Sequence, residues 1–327
     1  MRRSGRLHAT QAGVAALAMT VAGCTSSGSR AKQMPEGGGV VASGGSESTP
    51  GQVAAAQGTE SSGGELISPP SAATAEPDEA HPANRLPVTI TTSVDNALVS
   101  ALAEKYGLRL TPVNPQDAEQ AIATVERALR CYPRALVTDN INTVLIARSI
   151  TSVEGVEAGG TYDLPSRCII VKAGYSSADA ERGISASVHH ELSSFVLLQH
   201  RSQFPEAAWT DQNPRGFRYA YEPGKGGSEA VVAGMGDRTI TVELLRQSFL
   251  NRYSQSSLED DFNQVVEAVM ISPEWYQVAV LKYPELGKKM VLAMQFYKDC
   301  YPEFVPPIPL SEQPRPAPEP RVQEPRR

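Results

Sequence analysis

Residues 188–194 read Val188-His189-His190-Glu191-Leu192-Ser193-Ser194. A histidine followed at once by a glutamate opens a zinc-hydrolase arrangement. The imidazole takes the metal, and the glutamate faces the metal-bound water as general base. A second histidine four residues after the first would lie one turn along the same face. Here that position is Ser194, so the pattern is HExxS. Two other histidines stand near. His189 adjoins His190, but consecutive helix residues point about 100° apart. His200 follows later, and to reach back it requires a break after Ser194, where Phe195-Val196-Leu197-Leu198 offers no glycine. Two histidines and a glutamate on a helix also form an ordinary hydrogen-bonded or solvated polar patch, and the motif alone leaves both readings open.

Downstream, Ser256-Ser257-Leu258 leads into Glu259-Asp260-Asp261-Phe262. An acidic cluster opening a helix suits a third zinc ligand supplied by a neighbouring helix. Acidic side chains are equally favoured there by the helix dipole and the free N–H groups.

The elements that must position these residues follow from periodicity and breakers. Val94–Tyr106 has helical spacing and ends at Gly107; Pro115–Cys131 is a second helix, stopped by Pro133. Leu108–Thr111, Val144–Ile150 and Cys168–Ala173 read as strands, with Gly159-Gly160 as a turn. The His-Glu helix runs from Ser176, where Ser176-x-x-Asp179 resembles a capping box, to about His200. Ile184, Val188, Leu192, Phe195 and Val196 give it a buried stripe. Arg201–Gly236 is rich in loop residues, and helices are expected over Val242–Leu250, Glu259–Met270 and Pro284–Tyr301.

With these elements in order, the chain resembles the zinc-binding peptidases of the gluzincin group, distantly including the anthrax lethal-factor protease domain. The resemblance rests on Tyr162-Asp163 through Ile169-Ile170, on the His-His-Glu-x-Ser-Ser stretch, on Trp209 with Asn213-Pro214-x-Gly216-Phe217-x-Tyr219, and on Phe249 to Phe262. It covers about Leu129 to Pro284. It implies an α+β, zincin-like fold: a small mixed sheet, then the active-site helix, then a mainly helical C-terminal part. It also implies His190 as zinc ligand and Glu191 as general base. One of Glu259, Asp260 and Asp261 becomes the acidic ligand, Asp260 being favoured by its spacing from Tyr253, and Tyr253 becomes the oxyanion donor. The substrate would be a peptide or protein, and the strand Cys168–Ala173, or a neighbour in its sheet, would pair with it.

The ends of the chain carry a different message. Arg2, Arg3 and Arg6 precede a short apolar run, Ala12–Ala22, that closes on Val21-Ala22-Gly23-Cys24. The run is shorter than the roughly 20 residues a bilayer span needs, and its layout is that of a secretory signal. The tetrapeptide looks like a bacterial lipobox. The expected organisation is a lipoprotein signal peptide over 1–23, a lipidated Cys24 with a Gly/Ser/Ala/Pro linker over 24–84, one folded domain over 85–305 and a Pro-rich tail over 306–327. Acyl chains on Cys24 would anchor the protein in the cell envelope, and Thr25 favours the outer membrane. The tail is either a docking segment for an envelope partner or a plain solvated end. A net charge of −6 argues against nucleic acid. Cys131, Cys168 and Cys300 allow at most one internal disulfide and match no zinc motif. Three functions remain open: an active zinc metallopeptidase, a pseudopeptidase that binds a peptide or envelope partner without cutting it, and a structural lipoprotein working through its tail.

Overall fold

A computed structural model describes residues 19–20, 86–176, 178–308 and 310. Cys24, the linker, most of the expected leader and nearly all of the tail lie outside the described residues.

The architecture is α+β. The strands are β1 (Met19–Thr20), β2 (Thr89–Thr91), β3 (Leu108–Thr111), β4 (Thr143–Ala147), β5 (Ser149–Ser152), β6 (Glu157–Ala158), β7 (Gly160–Asp163) and β8 (Cys168–Lys172). The helices are α1 (Ala97–Tyr106), α2 (Pro115–Leu129), α3 (Arg134–Asn140), α4 (Ala180–Gln199), α5 (Glu206–Thr210), α6 (Ser228–Val232), α7 (Val242–Arg246), α8 (Leu258–Ile271), α9 (Glu274–Lys282) and α10 (Pro284–Cys300).

One sheet has the order β1-β7-β8-β4-β2. Its β2, β4 and β8 are parallel, and β7 and β1 are added antiparallel at one side. Strands β4 and β8 are apolar at almost every position because both faces are covered. Val144, Ile146, Ile169 and Val171 point into a core shared with α2, α4, α8 and α10. Leu145, Ala147, Cys168 and Ile170 point the other way, into a smaller core with α1. The small antiparallel sheet β3-β5-β6 contributes Leu108, Ile150 and Ala158 to that second core. The apolar block 144–150 is therefore two strands in two sheets, parted at Arg148, whose N–H turns to Thr111 O.

Local signals set the helix ends. The Asn96 side chain accepts from Val99 N–H at 2.9 Å, and Gly107 closes α1 in the left-handed region. Pro115 starts α2, and Ser257 caps α8 by accepting from Asp260 N–H at 3.0 Å. Helix α4 begins at Ala180, later than expected, because Ser176 is spent on a turn: its hydroxyl donates to Asp179 at 2.6 Å. Four helices of the described residues fall where none is expected: α3 after Pro133, the short α5 and α6 inside the loop-rich stretch 201–236, and α9 between Pro273 and Pro284. The packed core extends to Phe304 and Ile308. Among the described residues, no helix is long and apolar enough to cross a membrane.

Candidate functional site

Helix α4 packs on β7 and β8 with one flank and crosses α8 with another. Its middle, His189 to Ser194, is buried throughout. A buried polar run must find partners, and neighbouring elements supply them in three directions.

His189 points away from α8. Its Nδ1 pairs with the Tyr132 hydroxyl at 2.8 Å and its Nε2 with the Ser185 hydroxyl at 3.3 Å. Burial pushes its imidazole down to about 4, so it is neutral near pH 7. Helix α4 runs unbroken to Gln199, and His200 bonds Tyr301 Oη at 3.1 Å. Neither histidine stands in for the missing ligand.

His190 points at α8. Its Nδ1 lies 3.2 Å from Glu267 Oε2 and 3.1 Å from Gln264 Nε2. Glu267 is also gripped by Arg238, 2.6 Å from Nη2 to Oε1, and Arg238 and His190 together draw its carboxyl down to about 2 against the cost of burial. The His190 ring stacks against Tyr253 with centroids 6.4 Å apart.

Glu191 faces the sheet. It lies so close to Gly160 of β7 that a Cβ there would sit 2.5 Å from Glu191 Oε1. Gly160 is thus a strand residue rather than part of a turn, and its missing side chain makes room for this carboxylate.

Ser193 and Ser194 are tied to α8 by one amide. The Ser193 hydroxyl donates to Asn263 Oδ1 at 2.6 Å, and Asn263 Nδ2 donates to Ser194 Oγ at 2.7 Å. The Glu259 carboxyl lies near Ser194. Where the second histidine of HExxH would stand, a hydroxyl accepts from the Asn263 amide.

The acidic triplet points three ways. Glu259 accepts from Tyr162 Oη at 2.8 Å and from Gly224 N–H at 2.5 Å. Burial first, then the neighbouring Asp260, lifts its carboxyl to about 7. Asp260 completes the cap of its own helix: its Oδ2 accepts from Ser256 and Ser257 at 2.6 and 2.7 Å. The Tyr253 hydroxyl, fully buried, bonds the same side chain. Asp261 turns outward from the site to Lys289 Nζ at 2.6 Å, Tyr219 Oη at 2.6 Å and Trp209 Nε1 at 2.9 Å. So Glu259 and Asp260 stay near the His190–Ser194 face, and Asp261 belongs to a separate buried ion pair.

The sequence motifs do not mark Asn263, Gln264, Glu267, Arg238 or Lys289, and they mark Tyr162 only as the start of a matching stretch, not as a site residue. A signal for three of them is present: Asp260, Asn263, Gln264 and Glu267 recur at helical steps and form one polar stripe down α8. Arg238 and Tyr162 come from a loop and a strand, where no period marks them.

Zinc needs three protein ligands grouped tetrahedrally, with a fourth position for water. Among the described residues, no three His, Cys, Asp or Glu side chains are grouped to hold a metal ion. His190 is the one imidazole on the site face, Ser194 is a poor ligand already accepting from Asn263, and the nearby carboxylates accept from hydroxyls and an amide. This donor set does not fit a zinc centre. Cys131, Cys168 and Cys300 are free thiols. Burial pushes Cys168 up to about 12, which keeps it a protonated packing residue.

No protein-family model matches the chain, and no curated protein does. Among solved structures, the crystal structure of a putative zinc-binding metallo-peptidase from Bacteroides caccae superposes with a TM-score of 0.42 at 11% identity, covering 66% of this chain and 81% of that one. This is a loose likeness, and no residue role is carried across it.

Proposed function

We propose that the domain is a zincin-like pseudopeptidase: it holds an extended peptide or protein segment in a peptidase-type cleft and does not hydrolyse it with zinc. The observation that carries this reading is the Ser194 hydroxyl, fully buried and held by Asn263 where HExxH places its second imidazole. The capacity to hold a peptide rests on β7. Its outer edge pairs antiparallel with Met19–Thr20, at Thr161 and Gly160, so that edge accepts an extended backbone directly beside Glu191. In this reading the lipid on Cys24 holds the domain in the cell envelope, with the outer membrane favoured, and the Pro-rich tail adds a second contact for an envelope partner. The ligand is a peptide or protein, not nucleic acid.

One observation favours a second reading, the active zinc peptidase with Glu191 as general base and His190, Asp260 and Tyr253 in the roles the gluzincin resemblance gives them. His190 is held at Nδ1 by Glu267 and Gln264, the kind of outer support that orients a metal-binding imidazole. Metal analysis separates the two. Protein purified without chelator and dialysed against zinc should carry far less than one zinc per chain, and an extended peptide should bind equally to wild type and Glu191→Gln. Stoichiometric zinc that is lost in His190→Ala, with peptide cleavage lost in Glu191→Gln, would establish the second reading instead.

A further inference from the structure

The segment between α5 and α7 lies over the α4–α8 seam. Gly224 N–H donates to Glu259, and Gly226 packs so near α8 that a Cβ there would collide with Asp260 Oδ2. Farther along, Asp237 O accepts from Tyr253 N–H at 3.1 Å. Arg238 reaches in to Glu267 and, at 3.1 Å, to Gln264 Oε1. On α8 these contacts fall on Glu259, Asp260, Gln264 and Glu267, and Gln264 and Glu267 are also the residues that bond His190.

We propose that residues 222–241 form a lid, closed in this structure, that must lift from α8 before a peptide can reach the full length of the cleft; this rests on the peptide-holding reading above. The segment is built to move as a unit. Helix α6 is flanked by glycines in the left-handed region, Gly224 (φ 79°) and Gly227 (φ 58°) before it and Gly234 (φ 77°) after it. A few such positions can absorb the rotation of a hinge. Both ends are pinned: Tyr221 N–H bonds Ser256 O at 2.8 Å, and α7 buries Leu245. Between them the apolar anchor is small. Ala230 is buried, while Val232 is 65% and Ile240 56% exposed. Polar latches hold the segment down, among them Gly224 to Glu259, Asp237 to Tyr253, and Arg238 to Glu267 and Gln264. Segments with little apolar burial open at low free energy.

The test is amide hydrogen exchange on the full chain, read by mass spectrometry, beside association of a fluorescein-labelled extended Thr-Val decapeptide. Amides of 224–236 should exchange faster than those of α8 in the wild type. Arg238→Ala should speed them by about a further tenfold, as expected for loss of a charge-assisted hydrogen bond. Gly226→Ala should do the same by steric displacement, and in both variants α4 and α8 should stay protected. If Gly226→Ala does not fold, Arg238→Ala decides alone. Exchange of 224–236 as slow as that of α8, or unchanged in the variants, overturns the lid. Peptide binding separates the two ideas. Faster lid exchange with no peptide bound by any form keeps the lid and removes the peptide reading. Peptide bound at one association rate by every form, with exchange unchanged, removes the lid and keeps the reading.

Discussion

Asp261 and Lys289 form an ion pair in which both side chains are wholly inaccessible to solvent. Burial raises the carboxyl of Asp261 and lowers the ammonium of Lys289, so the surroundings penalise both charges and each is kept by the other. Lys289→Met tests this. The substitution roughly conserves volume but strands Asp261 with only Tyr219 and Trp209 as donors. It also removes a bond from Nζ to Ser248 O at 2.9 Å and a cation placed 4.3 Å from the Phe249 ring centroid. Breaking one partner of a buried pair costs about 3–5 kcal/mol. For a domain of this size each kcal/mol moves Tm by about 2–4 °C, so the expected drop is roughly 6–20 °C. Thermal and urea unfolding followed by circular dichroism would measure it. Asp261→Asn in the Lys289→Met background should then recover much of the loss, because the stranded charge is gone while an acceptor remains for Trp209 and Tyr219. A loss below about 1 kcal/mol, at the level of a surface pair, would refute the argument. So would an Asp261→Asn effect that is the same with and without Lys289.

Glu259 and His189 should oppose each other in the pH dependence of stability. Glu259 is raised to about 7, so its contribution is full below its ordinary value near 4.5 and fades as pH climbs through 7; Glu259→Gln should remove that decline, measured as urea midpoints from pH 4.5 to 8. His189 is lowered to about 4, so its contribution is full above 6.5 and fades as pH falls toward 4; His189→Gln should flatten the acid side of the same series. Asp163 is drawn down to about 2, with Lys105 at 2.7 Å and bonds from Tyr106 and Ser166 outweighing burial. Its stabilisation is present above pH 3.8 and lost toward 2, so Lys105→Ala should move the acid-unfolding midpoint upward. Gly160→Ala places a Cβ 2.5 Å from Glu191 Oε1 and should destabilise by about 1–3 kcal/mol, the usual range for overpacking. It should also weaken peptide association at the β7 edge, read by fluorescence anisotropy.

Much of the scaffold is legible in the amino-acid order. Strand β3 and helices α2, α8 and α10 fall close to where apolar period and breakers put them, and α4 does so except for its later start. The apolar run 144–150 does not reveal that it serves two sheets, because a strand covered on both faces has no alternation to read. Gly159-Gly160 has the composition of a turn, yet Gly160 is a strand residue shaped by a carboxylate from α4, a contact 31 positions away that no local rule contains. Ser176-x-x-Asp179 has the letters of a capping box and forms a turn ahead of the helix. At the site, the face shared by His190 and Ser194, with Glu191 turned about 100° away toward the sheet, follows from helical spacing alone. Which member of Glu259-Asp260-Asp261 looks where does not, because their directions depend on Tyr162, Gly224 and Lys289, which arrive from distant parts of the chain.

The Asn263 amide bears on how this chain can change over generations. Its two ends meet two hydroxyls of α4, donor to acceptor and acceptor to donor. Ser194→His would therefore not simply supply a second imidazole. It would press a larger ring into a fully buried space and strip Asn263 of one partner. Each of those costs falls on the first substitution, before any gain from metal can accrue. A change to HExxH has to alter Asn263 first or at the same time. The serine is thereby easy to keep, and α8 shuts off its single-residue replacement by histidine.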